Sequence, residues 1–387
     1  MQKNVFIIGS KGIPARYGGF ETFVEKLTKY WKRDDTKFHI ACPKINFECD
    51  YEFNNARCFI VNIAKLGGFR SILYDLISLK ECLNYIIRNN LEGSIIYMLT
   101  YRIGPFLFFF KKNIKKYKVR LYLNPDGLEC NRKKWNRLVK FYWKISRILT
   151  FKFVDLIICD SREIQKKSLS NFNKTYEKAI YISYGAELKN SDMLEEKQEI
   201  INWFKNNNVI KNNYYLYVGR FVPENNGEFI INEYIDSKSK KDLVLITNTK
   251  YEHGYYNNLN KKFNLDENKK ILFSGTVYDE DLLKIIRENA FAYIHGHEVG
   301  GTNPSLLEAL ALTKINLVLR VVFNVEVCED SVLYFEKSSG SLKNLIIKIE
   351  KNDFYGLEDL SQKAKSRIMK YYSWDNVVKE YENIFSL

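Results

Sequence analysis

Carboxylates, one arginine and paired glycines carry most of the chemistry legible in this chain, and they are densest between Tyr293 and Leu312, YIHGHEVGGTNPSLLEALAL. Ala292, Tyr293 and Ile294 read as a buried strand. Gly300 and Gly301 allow a sharp turn and a close approach to a ligand, Asn303 stands where an N-cap belongs, and Pro304 takes the first helical position. A helix N-terminus behind a glycine turn offers backbone N–H groups and partial positive charge, which suits a phosphate. Leu306, Leu307, Ala309, Leu310 and Leu312 make the helix apolar on almost every side. Glu308 is therefore expected as a carboxylate in a buried helix that needs hydrogen-bond donors. A ribose diol would supply them; so would a Lys or Arg in an ordinary strand-turn-helix corner.

The rest of the chain must position this stretch. Its 387 residues suffice for two domains, and 46% apolar with 27% charged residues is a soluble globular composition. No apolar run is long enough to span a bilayer, and MQKNVFIIGS reads as a strand rather than a signal peptide, so a cytosolic location is expected. Seven cysteines without a CxxC pair and four histidines give no metal-ligand cluster, and the cysteines read as small core residues. The net charge of +14 implies an anionic partner, which nucleic acid, anionic lipid and a nucleotide sugar all satisfy.

Val5 to Ile8, then GSKGIPARYGGF, then a helix with Phe20, Phe23, Val24, Leu27, Tyr30 and Trp31 at helical spacing form a β-loop-α opening of the doubly wound kind. The loop lacks G-x-G-x-x-G and the second strand, Phe38 to Cys42, ends in Pro43 and Lys44, which speaks against NAD. Gly18 and Gly19 place a second glycine turn at a helix start, where a phosphate or sugar could come close. Residues 111–152 hold fourteen Lys and Arg against Asp126 and Glu129 alone, with Trp135, Phe141, Tyr142 and Trp143 interleaved on a basic amphipathic helix. Such a helix either buries its aromatics and solvates its lysines or rests on anionic lipid. No recognised RNA or DNA motif accompanies it. Asp126 follows a strand, where open α/β sheets gather ligand groups, although it equally stabilises a turn. The polar run Lys189–Glu199 is the natural linker. A second alternation then begins with Tyr214–Val218 and Gly219-Arg220, with further strands at 243–247 and 271–274. Asp279 is expected to N-cap a helix ending near Asn289, so Asp279 and Asp281, a D-x-D by spelling, are not read as a metal site.

HGHEVGGTNPSLLEALA resembles the donor-nucleotide loop of retaining GT-B glycosyltransferases of family 4. That family carries a Glu, a Gly-rich turn and a second Glu eight residues on, which binds the nucleotide ribose. The second Glu falls on Glu308; the first falls on Gly300, leaving Glu298 or main-chain groups for its role. GSKGIPARYGGFETFVEKL resembles a subgroup found among bacterial polysaccharide rhamnosyltransferases, and by that resemblance Gly18 and Gly19 lie next to the donor diphosphate. VGRFVPENNGEFII is similar to the segment in which an Arg and a Lys grip the diphosphate; Arg220 keeps its place, and Asn225 or Asn226 stands for the Lys. NPDGLE places Asp126 where other members carry a sugar-contacting His, and GTVY places Val277 against the base.

The resemblance covers nearly the whole chain and implies the GT-B fold: two facing doubly wound Rossmann-like α/β domains with a deep interdomain cleft. It implies residues 1–187 for the acceptor, 188–370 for the nucleotide sugar and 371–387 as a helix packing back on the first domain. The implied reaction is retaining transfer of L-rhamnose from dTDP-β-L-rhamnose to a sugar on a lipid diphosphate, by the resemblance undecaprenyl diphosphate, at the inner face of the cytoplasmic membrane through residues 111–152. Asp126, Arg220 and Glu298 form the implied catalytic set, and Gly18, Gly19, Arg220, Asn225, Asn226, Val277, Gly301, Thr302, Asn303 and Glu308 the donor set, with no metal or other cofactor and no nucleic acid. A UDP-hexose transferase of the same fold, a non-catalytic sugar-binding relative and a nucleic-acid-binding protein stand as alternatives.

Overall fold

Short β-branched and aromatic runs bounded by glycine or asparagine form buried parallel strands here, and amphipathic segments between them form the covering helices. The computed structural model describes residues 2–15, 18–44, 48–63, 69–125, 136–170, 178–188, 197–249 and 253–386. Arg16, Asp126 and the linker residues 189–196 lie outside them. The chain forms two compact units, Met1–Tyr184 with Trp374–Leu387, and Gly185–Ser373.

The first unit contains β1 (Lys3–Ile8), α1 (Gly19–Tyr30), β2 (Thr36–Pro43), β3 (Tyr51–Phe53), β4 (Ala56–Val61), α2 (Arg70–Arg88), β5 (Ile95–Met98), α3 (Leu107–Lys116), β6 (Arg120–Leu123), α4 (Arg137–Phe153), β7 (Leu156–Cys159), α5 (Arg162–Ser170) and β8 (Ala179–Tyr181). Its eight strands run in the order β3-β4-β2-β1-β5-β6-β7-β8. Val5 pairs with Phe38 on one side and Ile95 on the other, both parallel, and only β3 with β4 is antiparallel. That hairpin has no counterpart in the expected elements. The C-terminal helix (Trp374–Ser386, α14 in chain order) belongs to this unit. Its Tyr381 hydroxyl lies 2.9 Å from that of Tyr97, and Phe385 packs among Trp31, Phe38, Tyr97 and Tyr122. Cys42, Cys58, Cys82, Cys159 and Cys328 are buried and free; Cys49, expected in the core, is exposed.

The second unit contains α6 (Gln198–Asn206), β9 (Tyr214–Val218), α7 (Gly227–Ser237), β10 (Asp242–Ile246), α8 (His253–Phe263), β11 (Ile271–Phe273), α9 (Glu280–Glu288), β12 (Ala292–His295), α10 (Pro304–Leu312), β13 (Asn316–Leu319), α11 (Val322–Cys328), β14 (Leu333–Phe335), α12 (Ser341–Glu350) and α13 (Leu357–Tyr371). The sheet is wholly parallel in the order β11-β10-β9-β12-β13-β14. The chain winds outward from β9 through β10 to β11 and, on the other side, from β12 through β13 to β14. The strand order therefore reverses between β9 and β12, the point at which open α/β sheets bind ligands beyond the carboxyl ends of their strands. In the first unit the same reversal lies between β1 and β5.

Candidate functional site

Two segments meet at the reversal in the second unit: Gly219-Arg220 after β9, and His295 to Asn303 after β12. Gly219 is required because the His297 imidazole lies against it; a Cβ there would sit 2.8 Å from Cε1 and 2.9 Å from Nε2. Gly296 is equally confined, its absent Cβ being 2.7 Å from both the Asn225 carbonyl oxygen and Ile230 Cδ1. Gly300 turns the chain with φ of 141°. The Asn303 side chain then accepts from the Ser305 N–H at 2.9 Å, capping α10, with Pro304 at its first position. The N-terminus of α10 so faces the crevice end of the sheet, as its sequence predicts.

The Arg220 guanidinium is exposed and makes no ion pair among the described residues. Its backbone is fixed: the carbonyl accepts from Asn225 Nδ2 at 2.8 Å, the Tyr217 hydroxyl at 3.0 Å and the Val222 N–H at 3.0 Å. Asn225 and Asn226 are buried, and their amides serve the loops. Asn226, in the left-handed region at φ 57°, donates to the Gly296 carbonyl at 2.8 Å and to Glu298 Oε2 at 3.2 Å. Glu298 Oε2 also lies 2.8 Å from Lys337 Nζ. Val277 is half-buried in the loop between β11 and α9 and packs against the core cluster that includes Tyr214, Ile285 and Tyr293. Asp279 caps α9, accepting from the Leu282 N–H at 2.8 Å.

Glu308 departs from its expected burial. Leu306, Leu307, Ala309 and Leu310 are buried around it, but its own side chain is 31% exposed and its Oε2 is 2.6 Å from Nη2 of Arg287, which is 3% exposed. The donors it needs come from α9, because the polar position of α10 faces the last turn of that helix. His295 and His297 went unnoticed in the sequence, where four histidines mattered only as too few for a metal cluster. Their rings stack at 4.4 Å, and His297 lies parallel to Tyr217 at 6.2 Å. The signal was present: residues two apart at a strand end share a face. Burial first, then Arg220, pushes His297 down to about 3, and burial lowers His295 as well, so both imidazoles are neutral.

At the reversal in the first unit the Gly18-Gly19 turn opens α1, with Gly18 at φ 114°. A carboxylate of the chain itself occupies that end: Glu21, buried in the first turn, accepts from the Lys11 N–H at 2.6 Å through Oε1. Burial raises its pKa despite these donors. The phosphate expected beside Gly18 thus meets a resident acid. Nearby, buried Asp75 pairs with Arg102 at 3.0 Å and accepts from Thr100 at 3.2 Å. Asp126 lies outside the described residues.

A domain of unknown function (DUF1972) matches residues 2–187. An uncharacterized glycosyltransferase of Methanocaldococcus jannaschii is 27% identical, over 95% of this chain and 94% of its own. Among solved structures, a sucrose-phosphate synthase from Thermosynechococcus elongatus aligns with a TM-score of 0.77 at 14% identity, covering 100% of this chain and 98% of that one. Anabaena HepE in complex with UDP-glucose aligns at 0.73 and 14%, over 100% of both chains. The fold is GT-B.

Within this GT-B chain the basic segment divides by face. Trp143, Ser146, Thr150 and Phe151 of α4 are buried; Ser146 Oγ accepts from the Gly104 N–H at 3.0 Å, and Tyr142 donates to the Arg102 carbonyl at 2.7 Å. Leu138 and Phe141 point outward, 80% and 63% exposed, as do Phe108 and Phe109 of α3. Part of the segment's aromatic surface is thus buried in the unit and part is exposed. Residues 126–135 lie outside the described set, and no described helix is long and apolar enough to cross a membrane.

Proposed function

We propose that the protein is a retaining glycosyltransferase that binds a nucleotide sugar at the β9/β12 crevice. The observation that carries this reading is Arg220: an exposed cation without an ion-pair partner among the described residues, on a rigidly held turn at the sheet reversal. In the transfer, the bond from the sugar C1 to the diphosphate oxygen breaks and a bond from C1 to the acceptor hydroxyl oxygen forms on the same face. The hydroxyl proton passes to the departing diphosphate. Charge grows on that diphosphate, and Arg220 with the N–H groups near Gly301, Thr302 and Asn303 stabilises it more in the transition state than in the ground state. Glu308 receives ribose, the loop at Val277 receives the base, and Asp126 and Glu298 contact donor sugar or acceptor.

The donor in this reading is dTDP-β-L-rhamnose, supported by the subgroup resemblance of GSKGIPARYGGFETFVEKL, and the acceptor is a sugar on a lipid diphosphate. Exposed Leu138, Phe141, Phe108 and Phe109 among lysines support peripheral contact with an anionic membrane. A UDP-hexose donor is the second reading, favoured by the likeness to HepE in complex with UDP-glucose. A thermal-shift panel of dTDP-rhamnose, dTDP-glucose, UDP-glucose, UDP-galactose, UDP-GlcNAc and GDP-mannose decides between them, since a ligand of the native state raises the melting temperature. A shift with dTDP-rhamnose alone is expected; a shift with a UDP-sugar instead replaces the donor, and no shift with any of them defeats the reading.

A further inference from the structure

Arg287 is a deeply buried cation beside the crevice, and through Ser305 its contacts connect to both strands at the reversal. Its Nη2 lies 2.6 Å from Glu308 Oε2 and 3.3 Å from the hydroxyl of Ser305, the second residue of α10. Ser305 Oγ is 3.2 Å from the Val218 carbonyl at the end of β9 and 3.1 Å from the Tyr293 hydroxyl in β12. That hydroxyl in turn lies 3.3 Å from His295 Nδ1. One polar network therefore ties the last turn of α9 and the first turn of α10 to the carboxyl ends of both strands at the reversal. A guanidinium 3% exposed is costly to desolvate, and an apolar side chain of similar volume would commonly serve stability as well or better. What the ion pair supplies instead is a fixed orientation for a carboxylate that is 31% exposed.

We infer that Arg287 is a positioning residue for the donor nucleotide, holding Oε2 of Glu308 so that Oε1 is the stronger acceptor presented to one hydroxyl of the ribose. The inference rests on the reading of Glu308 as the ribose ligand. Oε1 has no hydrogen-bond partner among the described residues, whereas Oε2 is engaged at 2.6 Å by a group that cannot lose its charge. A carboxylate with both oxygens free offers the two hydroxyls of a diol equal acceptors; one whose Oε2 already shares its charge with a guanidinium offers them unequal ones, Oε1 being the stronger. The site should then depend chiefly on one ribose hydroxyl and little on the other, which a deoxyribose donor would satisfy if the 3′-hydroxyl is the one used.

Titration calorimetry of the full chain with UDP, 2′-deoxy-UDP and 3′-deoxy-UDP, and with ribothymidine diphosphate, dTDP and 3′-deoxyribothymidine diphosphate, tests this in whichever base series binds. One deoxy analogue should bind within about three-fold of its ribonucleotide and the other roughly ten-fold or more weaker, the scale of a lost hydrogen bond to a charged group. Arg287→Lys should keep that asymmetry, while Arg287→Met should level the two analogues by freeing the carboxylate; a merely structural arginine would change stability without changing the ratio. Glu308→Gln, which needs no buried charge removed from α9, should weaken the ribonucleotide and the tolerated analogue alike and leave the sensitive analogue nearly unchanged. Equal losses for both analogues, or none for either, would overturn the inference, as would wild-type asymmetry in folded Arg287→Met. If either series binds and only the asymmetry fails, the nucleotide-sugar reading stands; if the wild type binds neither series, that reading falls and takes this one with it.

Discussion

Glu308→Ala should destabilise the protein more than the double variant Arg287→Met/Glu308→Ala, although the double variant removes more. The single change strips the partner from a guanidinium that is 3% exposed and cannot reach water. Breaking a fully buried pair in this way costs about 3–5 kcal/mol. Glu308 is about a third exposed, so part of its interaction is already screened, and we expect about 2–3 kcal/mol here. Arg287→Met alone leaves a carboxylate that can turn to solvent, and should cost no more than about 1 kcal/mol. The double variant removes the stranded charge and should recover about 1–2 kcal/mol relative to Glu308→Ala, a coupling within the range of contacting residues.

Thermal unfolding of the full chain reads these differences at roughly 2–4 °C per kcal/mol for a unit of this size. Glu308→Ala should lower the transition by roughly 5–10 °C, and the double variant should melt above it. If the double variant instead melts below Glu308→Ala, by the sum of the two single losses, the two side chains are not coupled and the account of the pair is wrong. The same arithmetic warns against Glu308→Ala as a probe of ribose binding, because lost activity would mix lost contact with lost fold. Glu308→Gln, which can still accept from Arg287, separates the two.

Arg220→Ala should lower kcat by roughly a hundred- to a thousand-fold, the scale of losing one transition-state donor, while moving the melting transition by no more than about 2 °C; steady-state kinetics beside a thermal melt check both. Gly219→Ala places a methyl 2.8 Å from His297 Cε1, so the ring must leave its stack; donor affinity by calorimetry should fall, with a stability loss of about 1–3 kcal/mol. Gly104→Ala sets a Cβ 2.1 Å from the Ser146 carbonyl oxygen, a backbone atom that cannot yield, and the variant should be destabilised by about 3 kcal/mol or accumulate insoluble. Burial holds His39 and His297 down to about 3, so between the ordinary histidine value and there the unfolded chain binds protons that the folded one refuses. Stability should be flat above about pH 6.5 and fall below it by up to about 1.4 kcal/mol per pH unit for each, which denaturant melts from pH 7.5 to 5 would measure.

What was legible in the sequence was what local rules decide. Asn303 with Pro304, and Asp279 before a helical run, name their own caps, and the structure places both side chains on the expected N–H groups. The strand at Tyr214–Val218 announces itself by continuous apolar residues between polar ends. Partners distant in sequence were not legible. Glu308 was expected buried because its neighbours are, yet which helix packs against that face depends on tertiary placement, and the answer is Arg287 on α9. Asn225 and Asn226 looked like replacements for a missing lysine; their donors turn inward because two loops lacking regular backbone pairing must be tied together. Glu21 sits three residues after Gly18, the ordinary spacing for an acid reaching back over a helix start, and that pattern was passed over in favour of the glycines.

These corrections change the electrostatics of the donor crevice more than its location. Lys337 is paired with Glu298, Arg287 with Glu308, and the two stacked histidines are neutral. Arg220 and the N-terminus of α10 are then the positive groups left without a carboxylate among the described residues, and the helix end is worth only about half a charge. A diphosphate arriving there meets far less positive charge than the +14 of the whole chain suggests. Ground-state attraction is correspondingly weak, which matters because attraction shared equally by substrate and transition state does not accelerate the transfer. In the proposed transfer a single guanidinium, its loop pinned by Tyr217, Val222 and Asn225, would act where charge develops, while Arg287 and Lys337 hold carboxylates in place. The chain's basic surplus lies instead in residues 111–152, among them lysines near the exposed Leu138, Phe141 and Phe109.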